Sequence, residues 1–279
     1  MIKPLYNNSS INNLPIGVFD SGLGGLTVVD QLLQHLPNEA IVYFGDTARV
    51  PYGIKSAETI RKFALQITNF LQHQGVKMIV VACNTVSSVA LDSVMAASRV
   101  PVVNVLEPGA RAALQVSHSK RIGVIGTTAT VAAGKYVDIL KSAETSVVVF
   151  SQACPLFVPL VEEGWTDSKV TDRVAEIYLN PLVDQQIDSL ILGCTHYPII
   201  KKTIQKVVSN RIQIIDSAVE TAIEVHNVLL EQNLQADGND KPKHRFFVSD
   251  FPQRFEEVAK LLLGHSLENV QRISLDDSI

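Results

Sequence analysis

The sequence predicts an α/β protein made of two pseudo-symmetric domains, each with an open, mostly parallel sheet, and with the functional site between them. Short apolar runs alternate with helical patterns of about ten or more residues, which is typical of βαβ units. In addition, the stretch Val80-Val81-Ala82-Cys83-Asn84-Thr85 has a counterpart about 110 residues later, Leu190-Ile191-Leu192-Gly193-Cys194-Thr195-His196. Residues 122–127 repeat the rhythm of residues 16–21 at a similar offset, which indicates a duplication.

The first half is predicted to contain three strands joined by helices. Apolar runs place the strands at residues 16–19, 41–44 and 78–82. One helix follows the polar turn over residues 20–25. Ser56 can cap a second helix that runs to about Gln74, where Gly75 fits the C′ position. The third strand delivers Cys83 at its carboxyl end.

The second half repeats this alternation. Its strands are predicted at residues 122–127, 146–150, 190–192 and 211–215. A helix around residues 170–185 contains Pro181, which should kink or end it. Another helix can start at Pro198, and Asp216-Ser217 can cap a third. The chain finishes with a β, α, β pattern over residues 244–248, 253–263 and 270–273. Because such a tail cannot form a domain, we expect it to complete one of the halves.

Composition argues against several classes of protein. Apolar residues make up 46% of the chain, charged residues 19%, and the formal charge is −4, so neither disorder nor a nucleic-acid partner is expected. The basic cluster at residues 241–245 is interpreted as solvated surface. No apolar run approaches the roughly 20 residues of a membrane helix, and residues 1–15 do not resemble an export signal. Three widely spaced cysteines do not form a disulfide framework, so we expect a soluble cytoplasmic protein.

Two of the three cysteines are candidates for chemistry. Cys83 and Cys194 both follow predicted strands, at the sheet edge where α/β proteins bind ligands and helix N-termini present unpaired N–H groups. This setting should lower a thiol pKa from about 8.5 toward neutral, which suits a general acid or base. Cys154 lies in a Pro-punctuated apolar stretch and is interpreted as a small core residue.

The repeated cysteines predict a two-base reaction. Two thiols on repeated units can face each other across a small molecule, and racemisation uses one acid/base group on each face of one carbon atom. If each sulfur approaches that carbon at about 3–3.5 Å, the sulfurs lie roughly 6–7 Å apart, too far for a disulfide. The carbanion also needs N–H and hydroxyl donors. The candidates are Gly53, Asn84, Thr85 and Thr195.

Three other side chains have a functional and a structural interpretation. Asp20 could orient or activate a thiol, or bind an ammonium group, but it could equally be a helix N-cap. His196 could exchange protons with Cys194, or it could be a satisfied polar residue at a strand end. Glu162 alone is uninformative.

A nicotinamide or zinc site is disfavoured. Gly22-x-Gly24 lacks the third glycine of the dinucleotide fingerprint, although Asp46 lies about where the ribose-binding acid should be. Asp20, beside the turn, would repel a pyrophosphate. The cysteines and seven scattered histidines lack the spacing of zinc ligands. We therefore expect neither a nucleotide cofactor nor a metal.

Taken together, these motifs resemble those of the glutamate racemases. The resemblance runs from about Ile16 to the C-terminus, and only the extension before Ile16 looks variable. The motifs that carry it are Asp20-Ser21-Gly-Leu-Gly-Gly, Pro51-Tyr52-Gly53, Ala82-Cys83-Asn84-Thr85, Gly126-Thr127-Thr128-Ala129-Thr130, Cys154-Pro-Leu-Phe-Val-Pro-Leu-Val-Glu162 and Leu192-Gly193-Cys194-Thr195-His196-Tyr197-Pro198.

The resemblance implies cofactor-independent interconversion of L- and D-glutamate, supplying D-glutamate for peptidoglycan. Cys83, assisted by Asp20, would deprotonate D-glutamate. Cys194, assisted by Glu162 and His196, would deprotonate L-glutamate. The implied substrate pocket consists of Asp20, Ser21, Tyr52, Gly53, Asn84, Thr85, Thr127, Thr130, Thr195 and His196. The implied first domain consists of residues 1–107 plus 217–279, and the second of residues 108–216. The expected partner is glutamate, and the chain could form a homodimer.

Three alternatives stay open. An aspartate racemase would use the same machinery. A cysteine-nucleophile hydrolase built on Cys194 and His196 would leave Cys83 unexplained. A non-catalytic two-domain amino-acid binder would need neither thiol.

Overall fold

The computed structural model describes residues 11–239, 241–263, 266–267 and 270–275. Residues 1–10 lie outside this range. They make up most of residues 1–15, the segment that the sequence analysis found unlike an export signal. In the described part of the chain, none of the helices has the length and apolarity of a bilayer-spanning segment.

The first of two sheets contains six strands. In chain order they are β1 (Ile16–Asp20), β2 (Ile41–Gly45), β3 (Met78–Val81), β4 (Val102–Asn104), β9 (Arg245–Val248) and β10 (Val270–Arg272). Their spatial order is β10-β9-β2-β1-β3-β4, and the pairs are parallel. Strands β9 and β10 therefore complete the first sheet, which agrees with the expectation that the C-terminal β, α, β segment would complete one of the halves.

The second sheet contains four parallel strands. They are β5 (Arg121–Gly126), β6 (Val148–Ala153), β7 (Ser189–Gly193) and β8 (Gln213–Asp216), in the spatial order β6-β5-β7-β8. In each sheet the first strand of the half lies beside the strand that precedes a candidate cysteine: β1 beside β3, and β5 beside β7. The α/β fold with two parallel sheets is confirmed, whereas the predicted domain bounds remain a prediction.

The helices connect the strands of each sheet. They are α1 (Leu26–His35), α2 (Ala57–His73), α3 (Asn84–Val89), α4 (Leu91–Ala97), α5 (Leu106–Val116), α6 (Thr128–Ala133), α7 (Lys135–Ala143), α8 (Phe157–Glu162), α9 (Lys169–Val183), α10 (Lys201–Val208), α11 (Ser217–Glu231) and α12 (Pro252–Leu263). The Ser56 hydroxyl accepts a hydrogen bond from the N–H of Thr59, and Gly75 has a φ of +71°, so both predicted ends of α2 are confirmed.

Several boundaries differ from the predictions, two of them for a clear reason. The strand expected at residues 146–150 begins at Val148 and continues to Ala153, because it pairs with β5 over that whole length. Pro198 starts no α-helix directly. It lies in a 3-10 turn, Tyr197–Ile200, which precedes α10. Pro181, by contrast, lies inside α9, which ends soon after it at Val183, in agreement with the expectation that this proline kinks or ends the helix.

Strand register brings the candidate residues to one edge of each sheet. Phe19 pairs with Val81, so Asp20 and Cys83 leave neighbouring strands within one residue of the same level. In the second sheet Gly126 pairs with Gly193, which places Thr127 and Cys194 at equivalent positions. Because carboxyl ends of parallel strands share an edge, the repeated motifs converge at the edge where α/β proteins bind ligands.

Candidate active site

A small cavity lies between the carboxyl edges of the two sheets. Its volume is about 40 Å³. Its lining residues are Ser21, Val50, Pro51, Tyr52, Gly53, Cys83, Asn84, Thr85, Thr127, Val158, Glu162, Cys194, Thr195 and His196. A water molecule occupies about 10–15 Å³ on this measure, so there is room for only a few. Both predicted thiols line this one cavity, one from each half.

Cys83 is a buried thiol at the carboxyl end of β3. It is the N-cap residue of α3, it is 4% exposed, and its Sγ donates to Ser21 Oγ at 3.5 Å. Burial, followed by the negative charge of Asp20, raises the pKa of Cys83 to about 12. The expectation that the helix N-terminus would lower this pKa is therefore wrong. Desolvation of the thiolate outweighs the dipole of a six-residue helix.

Cys194 has a different environment, a histidine paired with a carboxylate. Its Sγ lies 3.9 Å from His196 Nδ1, and His196 Nε2 lies 3.0 Å from Glu162 Oε1. Burial opposes a charge on His196, but its hydrogen bonds with Cys194 and Glu162 outweigh this and raise the pKa of the imidazole to about 10. Cys194 therefore has a protonated imidazole as its neighbour, whereas Cys83 has the carboxylate of Asp20, so the two thiols have unequal electrostatic surroundings.

Asp20 lies just behind the cavity and links the two halves. It is fully buried, it accepts from the N–H of Gly22 at 3.0 Å, and Thr195 Oγ1 donates to its Oδ1 at 3.5 Å. Burial raises the pKa of Asp20, and the charge of His196 works in the opposite direction. The N-cap residue of α1 is Gly25, without a capping side chain, so the alternative interpretation of Asp20 as that cap is wrong.

Three threonine hydroxyls meet across the boundary between the halves. Thr85 Oγ1 lies 2.9 Å from Thr127 Oγ1 and 3.2 Å from Thr130 Oγ1, and the latter two are 2.9 Å apart. Thr127 also caps α6, because its hydroxyl accepts from the N–H of Thr130. Thr130 itself does not line the cavity, so it reaches the site through its two neighbours.

Asn84 presents an amide to the cavity. Tyr136 donates from its hydroxyl to Asn84 Oδ1 at 2.7 Å, which fixes the orientation of the amide. The Nδ2 group is buried and has no partner within the described part of the chain. A buried donor of this kind favours a ligand oxygen at the site, since an unsatisfied amide costs roughly 1–3 kcal/mol.

The loop containing Tyr52 and Gly53 forms another wall. The Tyr52 hydroxyl donates to the buried carboxylate of Asp46, so it is committed to the first half of the protein. A Cβ on Gly53 would lie 2.8 Å from Thr127 Cβ, so only glycine permits this close approach of the halves. Sequence reasoning missed Val50, Pro51 and Val158, which supply apolar surface. Val158 belongs to the Pro-punctuated apolar stretch, but an apolar stretch does not by itself show which of its side chains reaches a cavity.

The glycine turn after β1 serves close packing of the halves. A Cβ on Gly24 would lie 2.3 Å from Thr195 Oγ1 and 2.5 Å from His196 Nδ1. The absence of a side chain at Gly24 therefore lets Thr195 and His196 of the second half pack against the turn. This close packing explains the glycine without a bound pyrophosphate. Across residues 11–239, 241–263, 266–267 and 270–275, no cluster of three or more His, Cys, Asp or Glu side chains could hold a metal ion.

This combination of fold and site defines a class of protein: α/β enzymes in which two repeated halves each contribute a thiol to one interfacial cavity. Residues 16–225 match the family model described as Asp/Glu/Hydantoin racemase. Accordingly, the chain belongs to the Asp/Glu/hydantoin racemase family and, within it, to the glutamate racemases.

Individual relatives agree over nearly the whole chain. A glutamate racemase of Geobacter metallireducens is 46% identical, covering 94% of this chain and 97% of the relative. The structure of glutamate racemase RacE1 from Bacillus anthracis is 40% identical with a TM-score of 0.92, covering 95% of this chain and 98% of that one. The Francisella tularensis glutamate racemase, solved with D-glutamate, is 41% identical with a TM-score of 0.89, covering 95% and 99%. An aspartate racemase of Picrophilus torridus, at 17% identity and a TM-score of 0.57, shares the fold.

Proposed function

We propose that this protein interconverts L- and D-glutamate without a cofactor, using Cys83 and Cys194 as the two acid/base groups. The observation that carries the proposal is that thiols from the two repeated halves line a single cavity. Relatives that are 46–47% identical over nearly their full length are glutamate racemases, whereas an aspartate racemase at 17% identity is similar in fold. Glutamate is therefore the better-supported substrate.

The unequal surroundings of the thiols assign their resting roles. With its pKa near 12, Cys83 is protonated at neutral pH, whereas Cys194 Sγ lies 3.9 Å from the imidazole of His196, which can act with it as the base. Cys194 Sγ then takes the Cα proton of L-glutamate, and Cys83 donates its proton to the opposite face, which yields D-glutamate. After this turnover Cys83 is the thiolate and Cys194 the thiol. That is the form that accepts D-glutamate, or that returns to rest by exchanging protons with water.

Polar groups around the cavity supply the donors that the carbanion and the carboxylates need. Asn84 Nδ2 is the free amide donor, and the hydroxyls of Thr85 and Thr127 can turn toward a ligand. We assign the substrate-binding role to these groups together with the cavity-lining residues Ser21, Tyr52, Gly53, Thr195 and His196. Thr130 contributes through its contacts with Thr85 and Thr127. Fixed donors in a water-poor site stabilise developing negative charge strongly. Asp20, behind Thr195, assists Cys83 and balances the charge of a bound ammonium group.

Substrate entry requires the halves to separate. A cavity of about 40 Å³ holds a few waters but not glutamate with its two carboxylates and ammonium group. The contacts that must open are Thr85 with Thr127 and Thr195 with Asp20, since each joins one half to the other. Closure around the substrate would exclude water and strengthen the electrostatic interactions in the site.

The biological role extends this activity. We propose that the product supplies peptidoglycan synthesis, and hence the cell wall and cell shape, as the family resemblance implies. All three cysteines are free thiols, and catalysis needs two of them reduced, which supports a cytoplasmic location. A homodimer is the proposed assembly, and the molar mass in solution tests it.

Deuterium exchange tests the central proposal. The purified protein is incubated in D₂O with each enantiomer of glutamate and, separately, of aspartate. We expect deuterium at Cα and racemic glutamate, with aspartate reacting far more slowly. An absence of Cα deuterium would refute the two-base reaction, and faster aspartate turnover would assign the substrate differently.

The Cys194–His196 pair also favours a hydrolase, because a thiol beside an imidazole is the arrangement of a cysteine nucleophile. That function predicts an acyl adduct on Cys194, detectable by mass, and no requirement for Cys83. The presence of both thiols in one cavity supports the racemase instead.

A further inference from the structure

We propose that Arg254 is a positioning residue for the acid/base unit formed by Cys194, His196 and Glu162. Arg254 lies on helix α12, which packs against the half that contains the six-stranded sheet, and it connects that helix to the unit. This inference rests on the proposed racemase function. Its basis is a hydrogen bond of 2.7 Å from Arg254 Nη2 to the main-chain carbonyl oxygen of Glu162. The side chain of the same Glu162 contacts His196 at 3.0 Å.

The bond completes the end of a short helix. Helix α8 has six residues and Glu162 is its last. The N–H groups of Gly164 and Trp165 donate to carbonyl groups of the last turn at 3.0 and 2.8 Å, and Gly164 has a φ of +75°. The next carbonyl, that of Glu162, accepts from Arg254. A helix this short has little stability of its own, so its end depends on such contacts.

Arg254 is itself held by a firmly packed helix. Its neighbour Phe255 is fully buried, with its ring centroid 5.7 Å from that of Tyr43 on β2. The Tyr43 hydroxyl donates to the carbonyl oxygen of Gly22 at 2.7 Å. Arg254 therefore extends from a fixed point on the first half to the residue that orients His196 in the second half.

A second cavity of about 220 Å³ marks this junction. Glu162 and Arg254 line it together with Thr47, Val50, Phe251 and Phe255. Glu162 and Val50 also line the active-site cavity, so the two cavities share a wall. The position of this wall fixes the distance from Glu162 to His196. Arg254 holds it from outside the active site, without touching the substrate cavity.

The primary test is Arg254→Gln, with kcat/KM measured for both enantiomers. We expect a loss of about fivefold, less than the hundredfold that displacement of a reacting group can cause, because Arg254 is half-exposed and acts through Glu162. The loss must be equal in both directions, since L- and D-glutamate have equal free energies. Arg254→Lys, which keeps a cationic donor, should recover most of the activity.

Isotope effects distinguish this role from a general loss of structure. If the proton transfer at Cys194 is slowed, the deuterium isotope effect on kcat/KM should rise with [α-²H]L-glutamate and fall toward one with [α-²H]D-glutamate. A merely structural defect moves neither value. Unchanged isotope effects would overturn the inference.

Matched variants complete the design. Glu257→Gln removes the ion pair of Arg254 with Glu257 at 3.4 Å but keeps the bond to Glu162, so it should retain wild-type activity. Arg173→Gln removes an equivalent pair on α9 at 2.7 Å, at a residue that lines neither cavity, and should do the same. In a Glu162→Ala background, Arg254→Gln should cost less than about twofold, because the two residues act as one unit.

Wild-type protein without racemase activity would refute the proposed function itself. Active wild type with a fully active Arg254→Gln variant, or with the same fivefold loss in both backgrounds, would refute only the role of Arg254.

Discussion

The hydroxyl groups of Thr85 and Thr127 lie 2.9 Å apart, and this hydrogen bond joins the two halves of the molecule at the wall of the cavity. Thr130 closes the cluster at 3.2 Å from Thr85. Under the proposed function, substrate binding exchanges these contacts for contacts with a carboxylate. On that proposal the same hydroxyls hold the closed arrangement and serve as the binding groups.

Replacing Thr85 by valine should weaken substrate binding while preserving the fold. Valine keeps the shape but removes the hydroxyl, and Thr127 and Thr130 can still bond to each other at 2.9 Å. We expect KM to rise about tenfold, the cost of one hydrogen bond to a charged group, with a smaller change in kcat. The matched control is Thr68→Val, because the buried Thr68 hydroxyl bonds only within α2, to Ala64 at 2.8 Å, away from the site. An unchanged KM for Thr85→Val would contradict the binding role.

Replacing either cavity thiol by serine should abolish racemisation. Serine is a much weaker acid than cysteine, so Cys83→Ser and Cys194→Ser should each reduce kcat at least about 10²–10⁴-fold, the usual contribution of a general acid or base. Circular dichroism of the glutamate solution measures the rate. Cys154→Ser is the control, since Cys154 is buried outside the cavity and its thiol bonds only to the Gln152 carbonyl at 3.6 Å. Wild-type rates in either cavity variant would rule out two-thiol catalysis.

The pH dependence of kcat/KM should report the His196–Glu162 pair. His196 has a pKa raised to about 10, so it stays protonated through neutral pH and loses its charge as the pH rises through about 10. Activity should fall there, because the imidazole beside Cys194 loses its charge. Glu162→Gln removes a group that raises this pKa, so the alkaline fall should move to lower pH. The substrate ammonium titrates identically for both proteins, so only the difference between the profiles is diagnostic, and coincident profiles would refute the assignment.

Adding a methyl group at Gly24 should reduce activity more than stability. In Gly24→Ala the new Cβ would collide with Thr195 Oγ1 and His196 Nδ1, so the second half must shift away from the first. We expect kcat/KM to fall by more than about tenfold, since small displacements of reacting groups are costly. Gly134→Ala gives the opposite pattern. Its φ of +68° disfavours alanine by about 1 kcal/mol, but no atom lies within 4 Å of the new methyl, so activity should be kept. Thermal denaturation and kinetics of both variants separate the two effects.

Local patterns predicted most of the fold because they report burial along one element. Apolar runs located β1, β2, β3 and β7, and capping chemistry located both ends of α2. The boundaries that differed, such as the later start and end of β6, depend on pairing with a neighbouring strand. That pairing joins residues far apart in the chain, so no local pattern encodes it.

The sequence by itself determined that Cys83 and Cys194 end repeated strands, because a strand followed by a polar turn is a local property of the chain. Only the tertiary structure decided what each thiol experiences. Burial beside Asp20 makes Cys83 a weak acid, contrary to the local expectation. Cys194 instead lies beside His196, whose pKa is raised by its hydrogen bonds with Cys194 and Glu162. The contact of Arg254 with Glu162 joins residues 92 positions apart and was equally invisible. Electrostatics and desolvation depend on what packs nearby in space, and that follows only once both sheets have assembled.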